Sequence, residues 1–386
     1  MSDLFIPYGR QWIDEEDIQC VVDVLRSDFL TTGPAVERFE QTLAHYTGAR
    51  HAVAVNSGTA ALHTAYYAAG LRAGDEIITS PLTFVATANA ALYLGATVKF
   101  VDVRPDTGTL DPSRLEEAIT RKTKLIVPVD YAGHPAEYDD IRAIAQRYGI
   151  TVVADAAHSL GAVYRGRKVG TLADLTAVSF HPVKPVTTGE GGAVLTNDPE
   201  WARRAVQFRS HGIVRDPRRL PAWEGPWYYE MQDIGYNYRI TDIQCALGTS
   251  QMRRLDAFIR RRRIIAERYT EAFRDLPGLE VPVVLPGVEP GWHLYVVRLE
   301  GGPAVRRRVF ERLREAGIGV QVHYIPVHFH PVYRKMGYTE GMYSCAEDFY
   351  RRAISLPLYP KMTDDEVEFV VETVRRVVRD VVGGGS

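Results

Sequence analysis

Through its first two thirds the chain alternates short apolar, β-branched runs with longer stretches whose apolar positions recur at helical spacing. Seven runs predict strands, at 51–55, 76–79, 97–101, 124–129, 151–154, 175–179 and 192–196. Several are nearly continuous in apolar residues, as a mostly parallel sheet requires when helices cover both of its faces. The pattern therefore predicts an α/β fold. From Thr241 it changes: Ile243, Ala246, Leu247, Met252, Leu255, Phe258 and Ile259 mark one side of a long helix running to Phe273. Beyond it, strands are expected at 292–298 and 320–324 and helices at 305–316 and 364–382. The expected division is a large α/β domain over 1–250 and a smaller α+β domain over 251–386, entered through the long helix, with 1–14 packing on the small one.

The stretch 77–98 carries no charged residue and is long enough to span a bilayer, but Thr79, Ser80, Pro81, Thr83, Thr87, Asn89 and Gly95 break it. It reads as a buried strand, a turn at Pro81 and an Ala-rich helix. Lys and Arg number 46 against 48 Asp and Glu, a net charge of −2, so no basic field calls for a nucleic acid or an anionic membrane. Cys20, Cys245 and Cys345 are too few and too scattered for a disulfide framework or a paired-cysteine zinc site, and Met1 to Pro7 lack a secretory signal. A cytoplasmic location is expected. His323, His328 and His330 lack the companions of a metal set, so no metal is expected. The run Arg260 to Arg263 reads as a solvated face paired internally with residues such as Glu267, against the alternative of a diphosphate grip. The tail from Gly383 to Ser386 carries no chemistry.

Candidate chemistry concentrates in the loops that follow the predicted strands. Lys184 lies between Pro182 and Pro185, which discourage helix and favour a fixed loop, just before Thr187-Thr188-Gly189-Glu190-Gly191-Gly192. Asp155 stands at the carboxyl end of the apolar run 150–154. An amine nucleophile together with a strand-end carboxylate is what a pyridoxal phosphate enzyme needs: one for a Schiff base, the other to keep the pyridinium protonated. Each residue alone also has a plain reading, Lys184 as a surface lysine and Asp155 as a cap. Asn56-Ser57-Gly58-Thr59 opens an Ala-rich helix at 60–69 and reads as a phosphate cradle or as an ordinary N-cap. Phe84 either stacks on a cofactor ring or fills the core, and His158 either meets the ring oxygen or packs. Ser179 offers a second phosphate hydroxyl.

These segments, with Leu30-Thr31-Thr32-Gly33-Pro34, Thr83 to Thr87, Asp155-Ala156-Ala157-His158, Gly235-Tyr236-Asn237-Tyr238-Arg239 and His323-Tyr324-Ile325-Pro326, resemble the sugar-nucleotide aminotransferases of the DegT/DnrJ/StrS type almost from end to end. Those are fold type I pyridoxal phosphate enzymes. The resemblance implies a homodimer with shared active sites, in which Lys184 is the Schiff-base lysine, Asp155 the pyridinium partner and Phe84 the stacking ring. It implies that Ser57, Gly58, Thr59 and Ser179 hold the phosphate, joined by Asn237 from the second subunit. Substrate contacts are expected from Tyr8, Thr32, Arg209, His211, Tyr236, His323 and Tyr324, each of which also has a reading as loop packing or surface polarity. Residues 180–192 and 227–238 are most similar to family members of the pseudaminic acid type of pathway. Those members aminate C4 of a UDP-linked 4-keto-6-deoxy-N-acetylhexosamine, with L-glutamate as the usual donor. The alternatives are a dTDP-linked 3- or 4-keto-deoxysugar substrate, a keto-sugar dehydratase, in which histidine replaces the lysine, and a non-catalytic regulator.

Overall fold

The computed structural model describes residues 5–383, so Met1 to Leu4 and, of the terminal tail, residues 384–386 lie outside the described residues. Seven strands form one sheet: β1 (His51–Val55), β2 (Glu76–Thr79), β3 (Thr97–Phe100), β4 (Thr123–Val127), β5 (Thr151–Asp155), β6 (Leu175–Ser179) and β7 (Gly192–Thr196). Their order is β1-β7-β6-β5-β4-β2-β3. The pairs from β6 to β3 are parallel, and β7 alone runs antiparallel to both neighbours. This is the expected mostly parallel mixed sheet with helices on its faces.

Strand periodicity sorts the apolar residues onto two faces. Ala54, Ile126, Val152, Ala154 and Val178 join one core; Val53, Val55, Leu125, Val127, Val153 and Ala177 join the other. Both cores are closed by helices: Pro34–Thr47, Tyr138–Tyr148 and the long Asp242–Phe273 on the first face, Gly58–Ala68, Ala86–Leu92 and Pro199–Arg209 on the second. The carboxyl ends of β1, β5 and β6 share one edge, since Val55 and Ser179 both pair with Gly192, and Asp155 pairs with Ala177. Chain leaving these three ends supplies the loops of the candidate site, as in other open α/β sheets.

The helix Asp242–Phe273 opens on a reciprocal capping box, with Thr241 Oγ1 accepting from the Gln244 amide at 3.2 Å and Gln244 Oε1 accepting from the Thr241 amide at 3.1 Å. Its first half packs into the sheet core through Cys245, Met252, Leu255 and Phe258, and its second half enters a separate core through Ile265, Tyr269 and Phe273. That second core lies between an antiparallel sheet of Leu279–Glu280, Tyr295–Leu299 and Ala353–Leu356 and the helices Gly302–Glu315 and Asp364–Gly383. Ile6 is fully buried in it and exchanges backbone hydrogen bonds with Gly317 and Gly319. Arg262 sits where the long helix passes between the cores. It is 2% exposed, and its guanidinium donates to the carbonyls of Trp292, His293 and Leu358.

Three local expectations are corrected. The strand expected at 292–298 begins at Tyr295, because Trp292 adopts a left-handed φ of 47° that no extended strand tolerates. Residues 320–324 form no strand: one bridge joins Gln321 to Ser355, after which the chain turns His323 and Tyr324 toward the sheet's carboxyl edge. In the arginine run, Arg261 pairs with Asp364 and Arg263 with Glu289 rather than with Glu267, and Arg262 is buried. Among the described residues no helix is long and apolar enough to cross a membrane.

Candidate active site

A cleft of about 440 Å³ opens at the carboxyl edge of the sheet, lined by Ser57, Gly58, Thr59, Asp155, His158, Ser179 and Lys184. Phe84, Tyr8, His323 and Tyr324 complete it. Each position follows from local structure. Ser57 caps the helix Gly58–Ala68, accepting from the Ala60 amide at 3.0 Å, so the cap reading of this residue holds. The amides of Gly58 and Thr59 fall in the first turn, whose N–H groups have no intrahelical acceptor, and they point the helix's positive end at the cleft. A Cβ on Gly58 would lie 2.9 Å from Ser179 Cβ and 3.0 Å from its Oγ. Only glycine keeps that space open between the two hydroxyl-bearing segments, and the result is a cradle for an anion.

Asp155 is 6% exposed and accepts from Thr87 Oγ1 at 2.6 Å and from the Ala157 amide at 3.2 Å. It forms no ion pair among the described residues. Burial pushes its carboxyl pKa up against these two hydrogen bonds and the attraction of Lys184. A buried carboxylate without a cation is costly, and this one faces a cavity. A protonated ring nitrogen placed there supplies the missing charge.

Lys184 is carried by a tightly bonded loop. Its amide donates to His181 O at 2.9 Å, Phe180 donates to Gly191 O, and Thr187 Oγ1 donates to Phe180 O. The side chain is half-buried, and burial brings the amine down from 10.5 to about 8, with Asp155 opposing the shift. Near neutral pH a usable fraction of the amine is therefore unprotonated and nucleophilic. The surface reading of this lysine fails because the loop folds inward.

Phe84 overturns the core reading, being 57% exposed between the buried Thr83 and Ala86, with its ring 6.1 Å from that of Tyr324. An apolar ring left uncovered beside a cavity is available for stacking. His158 Nε2 is hydrogen-bonded to Tyr324 Oη at 2.9 Å, while its Nδ1 is buried without a partner. His323 bonds Ser355 Oγ through Nδ1 at 2.8 Å, and burial pulls it down to about 4, so it is neutral. Tyr8 packs its ring 5.4 Å from that of His323.

The family model of the DegT/DnrJ/EryC1/StrS aminotransferases matches residues 11–375. The chain belongs to that family. It is similar to the spore coat polysaccharide biosynthesis protein SpsC of Bacillus subtilis, 44% identical over 379 residues covering 97% of each chain. It is also similar to the UDP-4-amino-4,6-dideoxy-N-acetyl-β-L-altrosamine transaminase of Campylobacter jejuni, 39% identical over 383 residues covering 98% of this chain and 99% of that one. The PLP form of Spr1654 from Streptococcus pneumoniae superposes with a TM-score of 0.92 at 33% identity, over 98% of this chain and 99% of that one. This DegT-family protein is thus a pyridoxal phosphate-dependent sugar aminotransferase of fold type I. The unpaired Asp155, the cradle at Gly58, the uncovered Phe84 ring and the orphaned His158 Nδ1 all fit that cofactor.

The remaining residues named from the sequence of this aminotransferase lie elsewhere. Thr32 and His211 line a second cavity of about 920 Å³ together with Arg203, Arg215, Arg219 and Arg239. Both adopt left-handed φ, 56° and 62°, rare for residues with side chains. Tyr236 stacks on Tyr238 and is 40% exposed. Asn237 is exposed and accepts from Asn56 Nδ2 through its carbonyl, outside the cleft of its own chain. Arg209 donates through Nη1 to Glu40 Oε1 and to the Ala54 carbonyl, both at 2.6 Å, and lines neither cavity. Two residues escaped sequence reasoning, one behind the cleft and one lining it. Thr87 was visible inside the motif Thr83 to Thr87, but only the fold aims its hydroxyl at Asp155. His293, whose ring lies 4.3 Å from that of His158, reaches the cleft from beyond the long helix, and nothing local marks it.

Proposed function

We propose that this aminotransferase transfers the amino group of L-glutamate to the C4 ketone of a UDP-linked 4-keto-6-deoxy-N-acetylhexosamine, with Lys184 as the residue that carries the cofactor. The observation that supports the Lys184 assignment is its inward loop and lowered pKa in the same cleft as the unpaired Asp155. The substrate rests on the 39% identity, over nearly the whole chain, to the Campylobacter jejuni transaminase.

Bound pyridoxal phosphate supplies an aldehyde carbon for amine attack and a ring that accepts the electron pair released at Cα. Around it the chain divides the work. Gly58, Thr59, Ser57 and Ser179 anchor the phosphate, and Phe84 covers one face of the ring. Asp155 keeps the ring nitrogen charged, with Thr87 fixing the carboxylate rotamer. The Nζ amine of Lys184, once displaced by the amino donor, would be the base that moves a proton from Cα of the donor to the cofactor's aldehyde carbon and, in the second half-reaction, from that carbon to C4 of the sugar. Donor and acceptor sugar use the one cleft in turn, which gives ping-pong kinetics.

The functional unit proposed is a homodimer. Trp223, Trp227, Tyr229, Met231, Ile234 and Tyr236 are 40 to 73% exposed within one segment, an apolar stretch that favours burial against a second copy. Asn237 ends that segment, and the arginine-lined cavity beside it suits the diphosphate of the nucleotide. The test is amination of UDP-linked against dTDP-linked 4-keto-6-deoxy sugars with L-glutamate, followed by mass spectrometry and NMR of the amino sugar. The expected product carries nitrogen at C4 of the UDP sugar; a product only from the dTDP sugar, or nitrogen at C3, rejects the substrate assignment and leaves the Lys184 assignment standing.

A further inference from the structure

His158 is the one imidazole of the cleft that contacts a tyrosine hydroxyl, and the direction of that hydrogen bond decides what its other nitrogen offers. Tyr324 Oη has no second partner among the described hydrogen bonds, and His158 Nδ1 is buried without any. If Nε2 were the donor, the hydroxyl proton of Tyr324 would have no acceptor among the described residues and the lone pair of the buried Nδ1 would be stranded as well. If the hydroxyl donates, only one group, an N–H at Nδ1, is left waiting for an acceptor. Buried polar groups are rarely left unsatisfied, so the second arrangement costs less. A charged imidazolium is excluded, since burial and the neighbouring Lys184 and His323 drive the His158 pKa well down.

We infer that Tyr324 is a positioning residue that fixes His158 as the Nδ1–H tautomer, so that Nδ1 donates to the phenolic oxygen of the bound cofactor and tunes how tightly the lysine–cofactor linkage holds its proton. Tyr324 is well placed for this because its own loop is held from two sides: Tyr131 Oη donates to the His323 carbonyl, and His323 Nδ1 bonds Ser355 Oγ. The tyrosine ring also lies nearly parallel to the imidazole, at 27° and 5.9 Å between centroids. The titratable groups facing His158 are Lys184, His293, His323, Asp155 and Tyr324 itself. Asp155 answers to Thr87 and to the ring nitrogen, and His293 and His323 are driven neutral by burial, so none of them competes for the phenolic oxygen.

A donor on the phenolic oxygen weakens that oxygen's hold on the proton of the linkage nitrogen, and therefore lowers the pH midpoint of the visible absorption of the bound cofactor. The inference rests on the Lys184 assignment, and the experiment separates the two. Holoenzyme and Tyr324→Phe are titrated by absorbance without any amino donor. The expected result is a midpoint raised by about half a unit or more in the variant, the scale of a weakened hydrogen bond to a charged acceptor. A midpoint that stays put or falls overturns the role of Tyr324. If no visible band forms even in the wild type, the Lys184 assignment fails instead. A second measurement needs no Tyr324 variant: 15N spectra of histidine-labelled, cofactor-free wild type, with H158Q to assign the signal. Protonation at Nδ1 is expected, and protonation at Nε2 overturns the inference.

Discussion

Asp155→Asn is the substitution whose consequences the structure fixes most closely. The amide is isosteric, and its neighbours adapt: the Ala157 amide keeps an oxygen acceptor, and Thr87 Oγ1, already 3.2 Å from the Phe84 carbonyl, turns its proton there and accepts from the new NH2. The fold is expected to survive. In the cofactor-free protein it is expected to gain stability, because burial holds the Asp155 pKa above its unfolded value. The sign follows from linkage. A carboxyl with a raised folded pKa binds its proton more tightly when folded, so its ionisation weakens the fold as pH rises from the unfolded value through the folded one. Asp155→Asn therefore raises the Tm of the cofactor-free protein at pH 7 and leaves it unchanged near pH 3. Catalysis moves the other way. Removing one member of a buried charge pair costs about 3–5 kcal/mol, which at about 1.4 kcal/mol per decade slows the electron-accepting step by roughly two to four orders of magnitude. Stopped-flow absorbance of the loaded enzyme mixed with L-glutamate measures that step directly. A loss of less than about tenfold with the cofactor still bound would refute the charge-pair reasoning for Asp155.

Further outcomes follow from the same geometry. Gly58→Ala puts a methyl 2.9 Å from Ser179 Cβ, so pyridoxal phosphate affinity, followed by fluorescence quenching of the cofactor-free protein, should fall by about tenfold or more while circular dichroism stays native. The rate of reconstitution with pyridoxal phosphate should climb with pH and level off above about 8, where burial places the Lys184 amine; a flat profile from pH 6 to 9 would count against a neutral-amine nucleophile. Stability of the cofactor-free protein should also rise between about pH 8 and 10.5, because the folded lysine releases its proton before the unfolded one does. Arg262→Ala strands the carbonyls of Trp292, His293 and Leu358 and opens a cavity between the two cores, which should destabilise the protein by about 3–5 kcal/mol in urea denaturation; a cost under 1 kcal/mol would mean that water replaces the guanidinium.

The central sheet was legible because its strands are buried on both faces, so that short runs such as 125–127 and 152–154 are apolar throughout. The long helix was legible from its apolar spacing after Thr241. Segment 320–324 misled because Val320, Gln321 and Val322 alternate as a strand does, whereas the residues that follow turn to the cleft. Asp155 could be read because it sits at the end of an apolar run, where periodicity itself locates the sheet edge, and Lys184 because Pro182, Pro185 and the Gly-rich turn at 189–192 mark a fixed loop. Arg209 could not, since its ionic partner, Glu40, lies 169 positions away and no local pattern joins the two. Thr32 and His211 share a cavity for the same kind of reason: tertiary structure brings together loops that the sequence separates.

The measurement that bears most directly on the chemistry is borohydride reduction of the protein loaded with pyridoxal phosphate, followed by proteolysis and mass spectrometry. The peptide containing Lys184 is predicted to carry the reduced cofactor, and Lys184→Ala to lose that label. A label fixed on another lysine, or none in a protein that binds the cofactor, would contradict the assignment of this cleft as the aminotransferase centre.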